Sequence, residues 1–151
     1  MEFTLNSVED TVKLGEKLGN LLNPGDVICL IGDLGTGKTY FAKGIAKGLE
    51  IKEPITSPTF TIVNEYRGRL KLHHFDVYRV NDIEDLLSLG FDEYIYSNAV
   101  NIIEWANYID ELIPEEHIYI NIYKLPEENP NGRKITIEYH GSRYDYIKEL
   151  K

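Results

Sequence analysis

One short run of the chain has residue types and spacing that fit phosphate chemistry. Gly32 to Thr39 reads GDLGTGKT and matches the pattern G-x-x-x-x-G-K-S/T. In this pattern backbone N–H groups converge on phosphate oxygens, and glycines are needed because bulkier side chains would block the approach. Lys38 is expected to meet the β and γ phosphates, and the Thr39 hydroxyl to bind Mg²⁺. The run predicts a site for a nucleoside triphosphate and its metal ion.

The neighbours of this run favour a functional loop over a glycine-rich turn that matches by accident. The stretch from Asp26 to Ile31 is short and mostly apolar, as expected of a strand buried on both faces. A helix from about Lys38 to Leu49 fits next, and its N-terminus would add positive potential. A strand before the loop and a helix after it are the context that the motif requires.

A phosphate loop of this kind also needs a carboxylate near the metal, usually at the end of an adjacent apolar strand. The run from Val100 to Glu104 supplies one, so Glu104 is the candidate for Mg²⁺. The alternative is an ordinary strand-end carboxylate that faces solvent. The magnesium role requires this strand to lie beside the loop.

Trp105 follows Glu104 directly and would point to the opposite face if the strand continued. Packing in the core is one interpretation of this side chain. Stacking on a nucleobase or on a partner is the other.

A second polar cluster lies on a predicted hairpin strand that reads HFDVYR from His74 to Arg79. Alternation along a strand places His74, Asp76 and Tyr78 on one side of the sheet. Asp76 could orient an attacking water or hold a metal-bound water. The same residues could equally form a structural hydrogen-bond network, and the spacing leaves both interpretations open.

The elements that must position these residues alternate early in the chain and pair as hairpins later. The predicted strands cover 2–5, 26–31, 59–66, 70–78, 99–103, 118–123 and 134–140, and the predicted helices begin near Ser7, Lys38, Asp82, Asn107 and Ser142. Ser7 and Asp10 form a capping-box pattern. The pattern predicts an α/β fold, a P-loop NTPase-like three-layer domain with a mixed, partly parallel central sheet.

Composition bounds the size and location of this domain. With 151 residues, 42% of them hydrophobic, the chain is expected to form a single domain, 1–151. No run approaches the roughly 18 apolar residues of a membrane span, so a cytoplasmic location is expected. The single cysteine allows neither an internal disulfide nor a cysteine metal site.

The net charge of −9 opposes tight binding of this chain alone to a nucleic-acid backbone. Any nucleic acid that the protein serves is therefore expected to be held by a partner.

The order and separation of four motifs resemble the TsaE (YjeE) family almost from end to end. These are GDLGTGKT, Ser57-Pro-Thr-Phe60, His74-x-Asp76-x-Tyr78-Arg79 and Glu104-Trp105. The resemblance implies a bacterial, Mg²⁺-dependent ATPase required for threonylcarbamoyladenosine formation next to the anticodon of tRNA. It also implies two partners, the threonylcarbamoyl transferase subunit and its non-catalytic paralogue, with tRNA reached through that complex.

The resemblance further assigns roles to individual residues. It implies that Asp76, Lys38 and Glu104 are catalytic and that Ser57 to Phe60 form a switch-type loop near the γ-phosphate. It implies that Trp105 is needed for activity. The residues that it places on ATP are Thr11, Gly35, Thr36, Gly37, Lys38, Thr39 and Arg133, with Thr39 and Glu104 at Mg²⁺.

Three other functional classes share parts of this pattern. A small-molecule kinase would normally close an arginine-bearing lid over its substrate, and the sequence has no arginine-rich segment of that kind. A Ras-like GTPase would carry an N-K-x-D run to recognise guanine, and the sequence has none. A nucleotide-gated assembly subunit, in which hydrolysis only resets a binding-competent state, overlaps with the ATPase hypothesis.

Overall fold

The computed structural model describes residues 1–33, 35–58 and 62–150, which form one seven-stranded sheet with helices on both faces. The strands are β1 (Glu2–Leu5), β2 (Val27–Ile31), β3 (Val63–Arg67), β4 (Lys71–Asp76), β5 (Val100–Glu104), β6 (His117–Lys124) and β7 (Arg133–His140). The helices are α1 (Val8–Leu21), α2 (Lys38–Gly48), α3 (Ile83–Ser88) and α4 (Phe91–Ile95), with 3₁₀ helices over Ala106–Leu112 and Ser142–Glu149. Within these ranges no helix is long and apolar enough to cross a membrane.

The sheet is mixed, and its centre is parallel. The strand order is β1-β7-β6-β2-β5-β4-β3. Strand β2 pairs in parallel with both β5 and β6, and β4 pairs in parallel with β5. The pairs β3 with β4, β6 with β7, and β1 with β7 are antiparallel. The apolar run of β2 is explained by this position, because a central parallel strand is covered on both faces.

Two apolar cores lie between the sheet and the helices, one on each face of the sheet. One core joins the sheet to α1 and α2 and includes Leu14, Leu30 and Ile45. The other joins the opposite face to α3, α4 and the first 3₁₀ helix, and includes Phe75 and Phe91. The predicted P-loop NTPase-like three-layer class with a mixed, partly parallel sheet is confirmed.

The two predicted hairpins are present, β3 with β4 and β6 with β7. Residues 59–61, which the sequence assigned to the first hairpin strand, lie outside the described residues. The helix predicted to begin after Asp82 is α3, and the Asp82 carboxylate accepts a hydrogen bond from the Glu84 N–H at 3.0 Å. Helix α4 was not predicted, because this five-residue turn buries only Phe91 and Ile95 and has no longer periodic pattern.

Helix α1 begins as the capping box predicts, with the Ser7 hydroxyl accepting a hydrogen bond from the Asp10 N–H at 3.1 Å. One face of α1 packs against α2 so closely that the two backbones are in contact. A Cβ atom at Gly15 would lie 2.5 Å from the Phe41 carbonyl oxygen, and one at Gly44 would overlap the Val12 carbonyl oxygen. These glycines let α1 approach the helix that follows the phosphate loop.

The contact at Gly44 gives the first prediction. Replacing Gly44 with Ala should lower the free energy of unfolding by about 3 kcal/mol, because the added methyl group must push α1 and α2 apart. The neighbouring exposed substitution Lys43→Ala should stay within about 0.5 kcal/mol of the wild type. Urea unfolding of both variants measures the difference. Equal stabilities would show that the helices do not pack this tightly.

Candidate functional site

The carboxyl ends of β2, β5 and β4 meet at one edge of the sheet, where open α/β sheets bind their ligands. A cleft of about 280 Å³ opens there. It is lined by Val8, Thr11, Gly35, Thr36, Gly37, Lys38, Thr39, Tyr40, Ser57, Asp76, Glu104, Trp105, Asn131 and Arg133. The structure therefore brings together the residues named for ATP and Mg²⁺ with Ser57, Asp76 and Trp105, whereas His74, Tyr78 and Arg79 are not in the lining and residues 59 and 60 lie outside the described residues.

The loop between β2 and α2 supplies the floor of the cleft. Gly35 and Gly37 have φ angles of 78° and 102°, a left-handed conformation that favours glycine. Gly37 caps α2 without a side-chain hydrogen bond, and residues 37–40 line the cleft. The first turn of a helix has N–H groups without intrahelical partners, so this end of α2 suits an anion. Leu34 of this loop lies outside the described residues.

Arg133, the first residue of β7, lines the cleft and holds the loop through hydrogen bonds. Its Nε donates to the Thr36 carbonyl oxygen at 2.6 Å, and its Nη2 donates to the Gly35 carbonyl oxygen at 3.3 Å. In a trans peptide the C=O and the following N–H point in opposite directions. Fixing the Thr36 carbonyl on Arg133 therefore turns the Gly37 N–H away from Arg133.

Lys38 is buried, and its ammonium group binds to backbone carbonyls and to an aromatic ring of the protein. Its Nζ donates to the carbonyl oxygens of Gly32 and Asp33 at 2.6 and 3.0 Å. The same atom lies 4.2 Å from the centroid of the Trp105 ring, within the range of a cation–π interaction. Burial lowers the pKa of Lys38, and the negative charges of Glu104 and other nearby carboxylates oppose that shift.

Trp105 lines the cleft beside Glu104, and it also packs in the apolar core that contains Phe75, on the face of the sheet opposite Ile102. Alternation along β5 predicts this face, although β5 ends at Glu104 and Trp105 has a left-handed φ of 65°. The ring is 9% exposed and belongs to one of the two apolar cores. It stacks near Tyr78 and Tyr108, with centroid distances of 4.6 and 5.5 Å. Trp105 thus combines core packing with a place at the site.

Two carboxylates face the cleft from neighbouring strands. Asp76 and Glu104 are opposite one another in the parallel pairing of β4 with β5. Burial raises the pKa of Asp76, a hydrogen bond from the Tyr78 N–H at 3.0 Å opposes the shift, and the charge of Glu104 adds to it. Glu104 is only 3% exposed and contacts His74, whose Nε2 lies 2.5 Å from Glu104 Oε2.

The oxygen donors at the site suit a hard cation that also binds phosphate. The Thr39 and Ser57 hydroxyl oxygens are 2.9 Å apart, and the two carboxylates line the same cleft. Among the described residues no group of three or more His, Cys, Asp and Glu side chains could hold a metal by itself. Mg²⁺ commonly binds through one or two protein ligands, waters and substrate phosphates, so this donor set fits it.

Several residues of the cleft were not predicted for the site. Val8 and Tyr40 lie at the first turns of α1 and α2, and Asn131 lies in the connection between β6 and β7. Tyr40 could have been found from its position directly after Thr39. Nothing in the local sequence of Val8 or Asn131 indicates proximity to the loop, because both arrive through the tertiary fold.

The sheet order, the parallel strands around β2 and the loop that precedes α2 define a P-loop NTPase-like α/β protein. A family model described as threonylcarbamoyl adenosine biosynthesis protein TsaE matches residues 5–135. The chain belongs to the TsaE family, whose role is in tRNA threonylcarbamoyladenosine biosynthesis.

Individual relatives agree with the family model. The tRNA threonylcarbamoyladenosine biosynthesis protein TsaE of Treponema pallidum is 42% identical over 137 residues, 91% of this chain and 99% of the relative. The protein of the same name from Bacillus subtilis is 42% identical over 142 residues, 93% of this chain and 87% of the relative. The crystal structure of Bacillus subtilis YdiB superposes with a TM-score of 0.82 at 38% identity, covering 99% of this chain and 91% of that one.

The bracing of the loop by Arg133 gives the second prediction. Arg133→Ala should speed amide hydrogen exchange at residues 35–37 by about tenfold, because hydrogen bonds from a charged donor to the loop carbonyls are lost. The adjacent Lys134→Ala removes only an exposed ion pair to Glu2 and should leave this exchange unchanged. Hydrogen exchange followed by NMR measures both. Unchanged exchange in Arg133→Ala would show that the loop is held by other contacts.

Proposed function

We propose that the chain is a Mg²⁺-dependent ATPase that acts in tRNA threonylcarbamoyladenosine biosynthesis. The observation that carries this proposal is the convergence of Lys38, Asp76 and Glu104 on the loop between β2 and α2. A phosphate-binding loop without carboxylates could serve binding alone. Two carboxylates beside the loop add the groups needed to hold a metal ion and to position water.

In this proposal the loop and the N-terminus of α2 bind the phosphates through backbone N–H groups. Gly35, Thr36 and Gly37 supply loop N–H groups, Lys38 adds its charge, and Thr11 lies at the edge of the same cleft. Arg133 contributes by holding the loop carbonyls, and it also lines the cleft. The absence of an N-K-x-D run from the sequence favours adenine over guanine.

Mg²⁺ would be held by the Thr39 hydroxyl and by Glu104, directly or through water. When bound, the cation neutralises charge on the β and γ phosphates. The Ser57 hydroxyl, 2.9 Å from that of Thr39, places the segment that contains Ser57 next to the same position. Binding of the nucleotide would therefore be sensed at Ser57, which supports the switch role of residues 57–60. Of these, residues 59 and 60 lie outside the described residues.

Asp76 is the group that would position the attacking water. Its carboxylate is half-buried at the mouth of β4 and lies near both Lys38 and Glu104. Partial burial raises its pKa and makes it a better proton acceptor than an ordinary aspartate. Hydrolysis by the chain alone would be slow, because Arg79, the arginine of the same motif, is exposed. A partner could supply the missing positive charge.

The role in tRNA modification requires partners, and we propose the threonylcarbamoyl transferase subunit and its non-catalytic paralogue. The net charge of −9 favours contact with tRNA through these proteins over direct contact. ATP binding would favour docking, and hydrolysis would release or reset the complex. A purely nucleotide-gated assembly subunit is the second candidate. It is favoured by Tyr78 and Tyr108, which are exposed yet stacked near Trp105 at the cleft.

Hydrolysis tests the ATPase proposal. The purified chain should hydrolyse ATP slowly, and the transferase subunit with its paralogue should raise the rate. Asp76→Ala should keep its ATP affinity and lose about 100-fold or more in rate, because general acid–base groups typically contribute this much. Asp85→Ala, at an exposed position of α3, is the matched control and should keep the rate. A normal rate in Asp76→Ala would remove Asp76 from the mechanism.

The second candidate differs in the same experiment. A gated assembly subunit would bind the partners in an ATP-dependent manner but would show no increase in hydrolysis when they are added. If the chain neither associates with the partners nor hydrolyses ATP, both candidates are contradicted.

The contact between Lys38 and Trp105 gives a direct optical test of nucleotide binding. To meet phosphates, Lys38 must leave the carbonyls of Gly32 and Asp33 and change its position over the ring. Because Trp105 is the single tryptophan, ATP should change the intrinsic fluorescence of the whole protein. Lys38→Ala should abolish both binding and the change, whereas Lys43→Ala, elsewhere on α2, should keep both. An ATP-saturated wild type with unchanged emission would show that Lys38 stays in place.

A further inference from the structure

His74 is a fully buried polar side chain that the proposed mechanism does not use. It lies in β4 two residues before Asp76 and has 0% exposure. Its Nε2 is 2.5 Å from Glu104 Oε2. Its Nδ1 has no hydrogen-bond partner among the described residues. A histidine in this position replaces an apolar side chain of the core with a polar ring. The contact with Glu104 is the polar interaction that the ring gains there.

The two ring nitrogens have different surroundings, and this difference defines the hydrogen bond. A carboxylate oxygen only accepts, so the proton of the contact is on Nε2 and is donated to Glu104. A proton on Nδ1 would bury an N–H group without an acceptor, which is more costly than a buried ring nitrogen without a donor. The arrangement therefore favours the Nε2–H tautomer, which leaves the negative charge of Glu104 intact.

We infer that His74 is a positioning residue that orients the Glu104 carboxylate toward Mg²⁺. The hydrogen bond from the buried His74 ring occupies Oε2, and Glu104 also lines the cleft. A carboxylate held at one oxygen presents the other in a defined direction. Groups that support metal ligands in this manner typically change metal affinity by about 10- to 100-fold when removed. This inference rests on the proposed Mg²⁺–ATP site.

The chain contains a matched control in the adjacent histidine. His73 is also buried, at 3% exposure, and its Nδ1 lies 3.1 Å from the Asn101 side-chain oxygen. Its ring meets Tyr94 edge-on at 4.8 Å, in the layer that contains α4. His73 is thus buried to nearly the same extent as His74. Because neighbouring residues of a strand face opposite sides of the sheet, His73 does not contact Glu104.

The experiment compares His74→Leu, His74→Gln and His73→Leu by the Mg²⁺ concentration that gives half-maximal ATP binding in calorimetry. His74→Leu should raise this concentration by about 10- to 100-fold, because Glu104 loses its support. His74→Gln can place its side-chain N–H near the position of the histidine Nε2 and should restore most of the wild-type value. His73→Leu should leave the value unchanged although it also alters a buried hydrogen bond. Thermal unfolding of each variant separates Mg²⁺ effects from stability.

The tautomer gives a second measurement that needs no nucleotide. Nitrogen-15 NMR of the wild-type ring should show the proton of His74 on Nε2, and Glu104→Ala should change that signal. If His74→Leu does not fold, this NMR measurement still tests the role of His74. In that case His74→Asn, which removes the donor at the Nε2 position, replaces His74→Leu in the Mg²⁺ titration.

The outcomes separate the two proposals. A wild type whose ATP binding does not depend on Mg²⁺ would contradict the proposed function, and the role of His74 would fall with it. A Mg²⁺-dependent wild type with an unchanged value in His74→Leu, or a His74 proton on Nδ1, would overturn the role of His74 alone.

Discussion

The parallel register of β2, β5 and β4 is the constraint on which the cleft depends. Glu104 is the partner of Leu30 on one side and of Asp76 on the other, so both carboxylates come level with the point where β2 gives way to the glycine loop. Side chains alternate along a strand, and a shift of one residue in β4 would move Asp76 to the opposite face of the sheet. Apolar burial of β2 and β5 on both faces thus fixes the placement of the polar groups at their ends.

One ammonium group and two carboxylates lie close together at this edge of the sheet before any ligand enters. Lys38 interacts electrostatically with both Asp76 and Glu104, and its burial strengthens each of these interactions. A triphosphate would add several negative charges to the same small volume. In the proposed function, a metal ion that enters with the nucleotide, and a turn of Lys38 from its carbonyl partners toward the phosphates, would offset this charge. If the proposal is correct, binding of nucleotide, binding of cation and movement of Lys38 would therefore be coupled.

Local signals in the sequence were enough to predict every element except the short helix α4, but not the contacts between elements. The strand, glycine loop and helix from Val27 to Gly48, the cap at Ser7 and both hairpins follow from periodicity and turn residues. The left-handed backbone of Trp105 was not predicted, because such a conformation at a non-glycine residue has no signature in the sequence. The bracing of the loop by Arg133 joins residues about a hundred positions apart, and the bond from His74 to Glu104 depends on strand register. Such contacts exist only after the sheet has formed, and the functional roles of the site residues stay predictions.

Because of the glycine contact between α1 and α2, one side of the cleft is expected to be stiffer than the other. Because the two backbones touch at Gly15 and Gly44, these helices can shift only as a unit, and the side of the cleft that carries Thr11 and Thr39 keeps its shape. Ser57 and Asn131, on the other hand, come from connections between elements. The rigid side is suited to hold the part of a ligand that never varies. Adjustment to a changing ligand, such as the loss of one phosphate, falls to the connections, and it is there that the two ends of a reaction cycle would differ in shape.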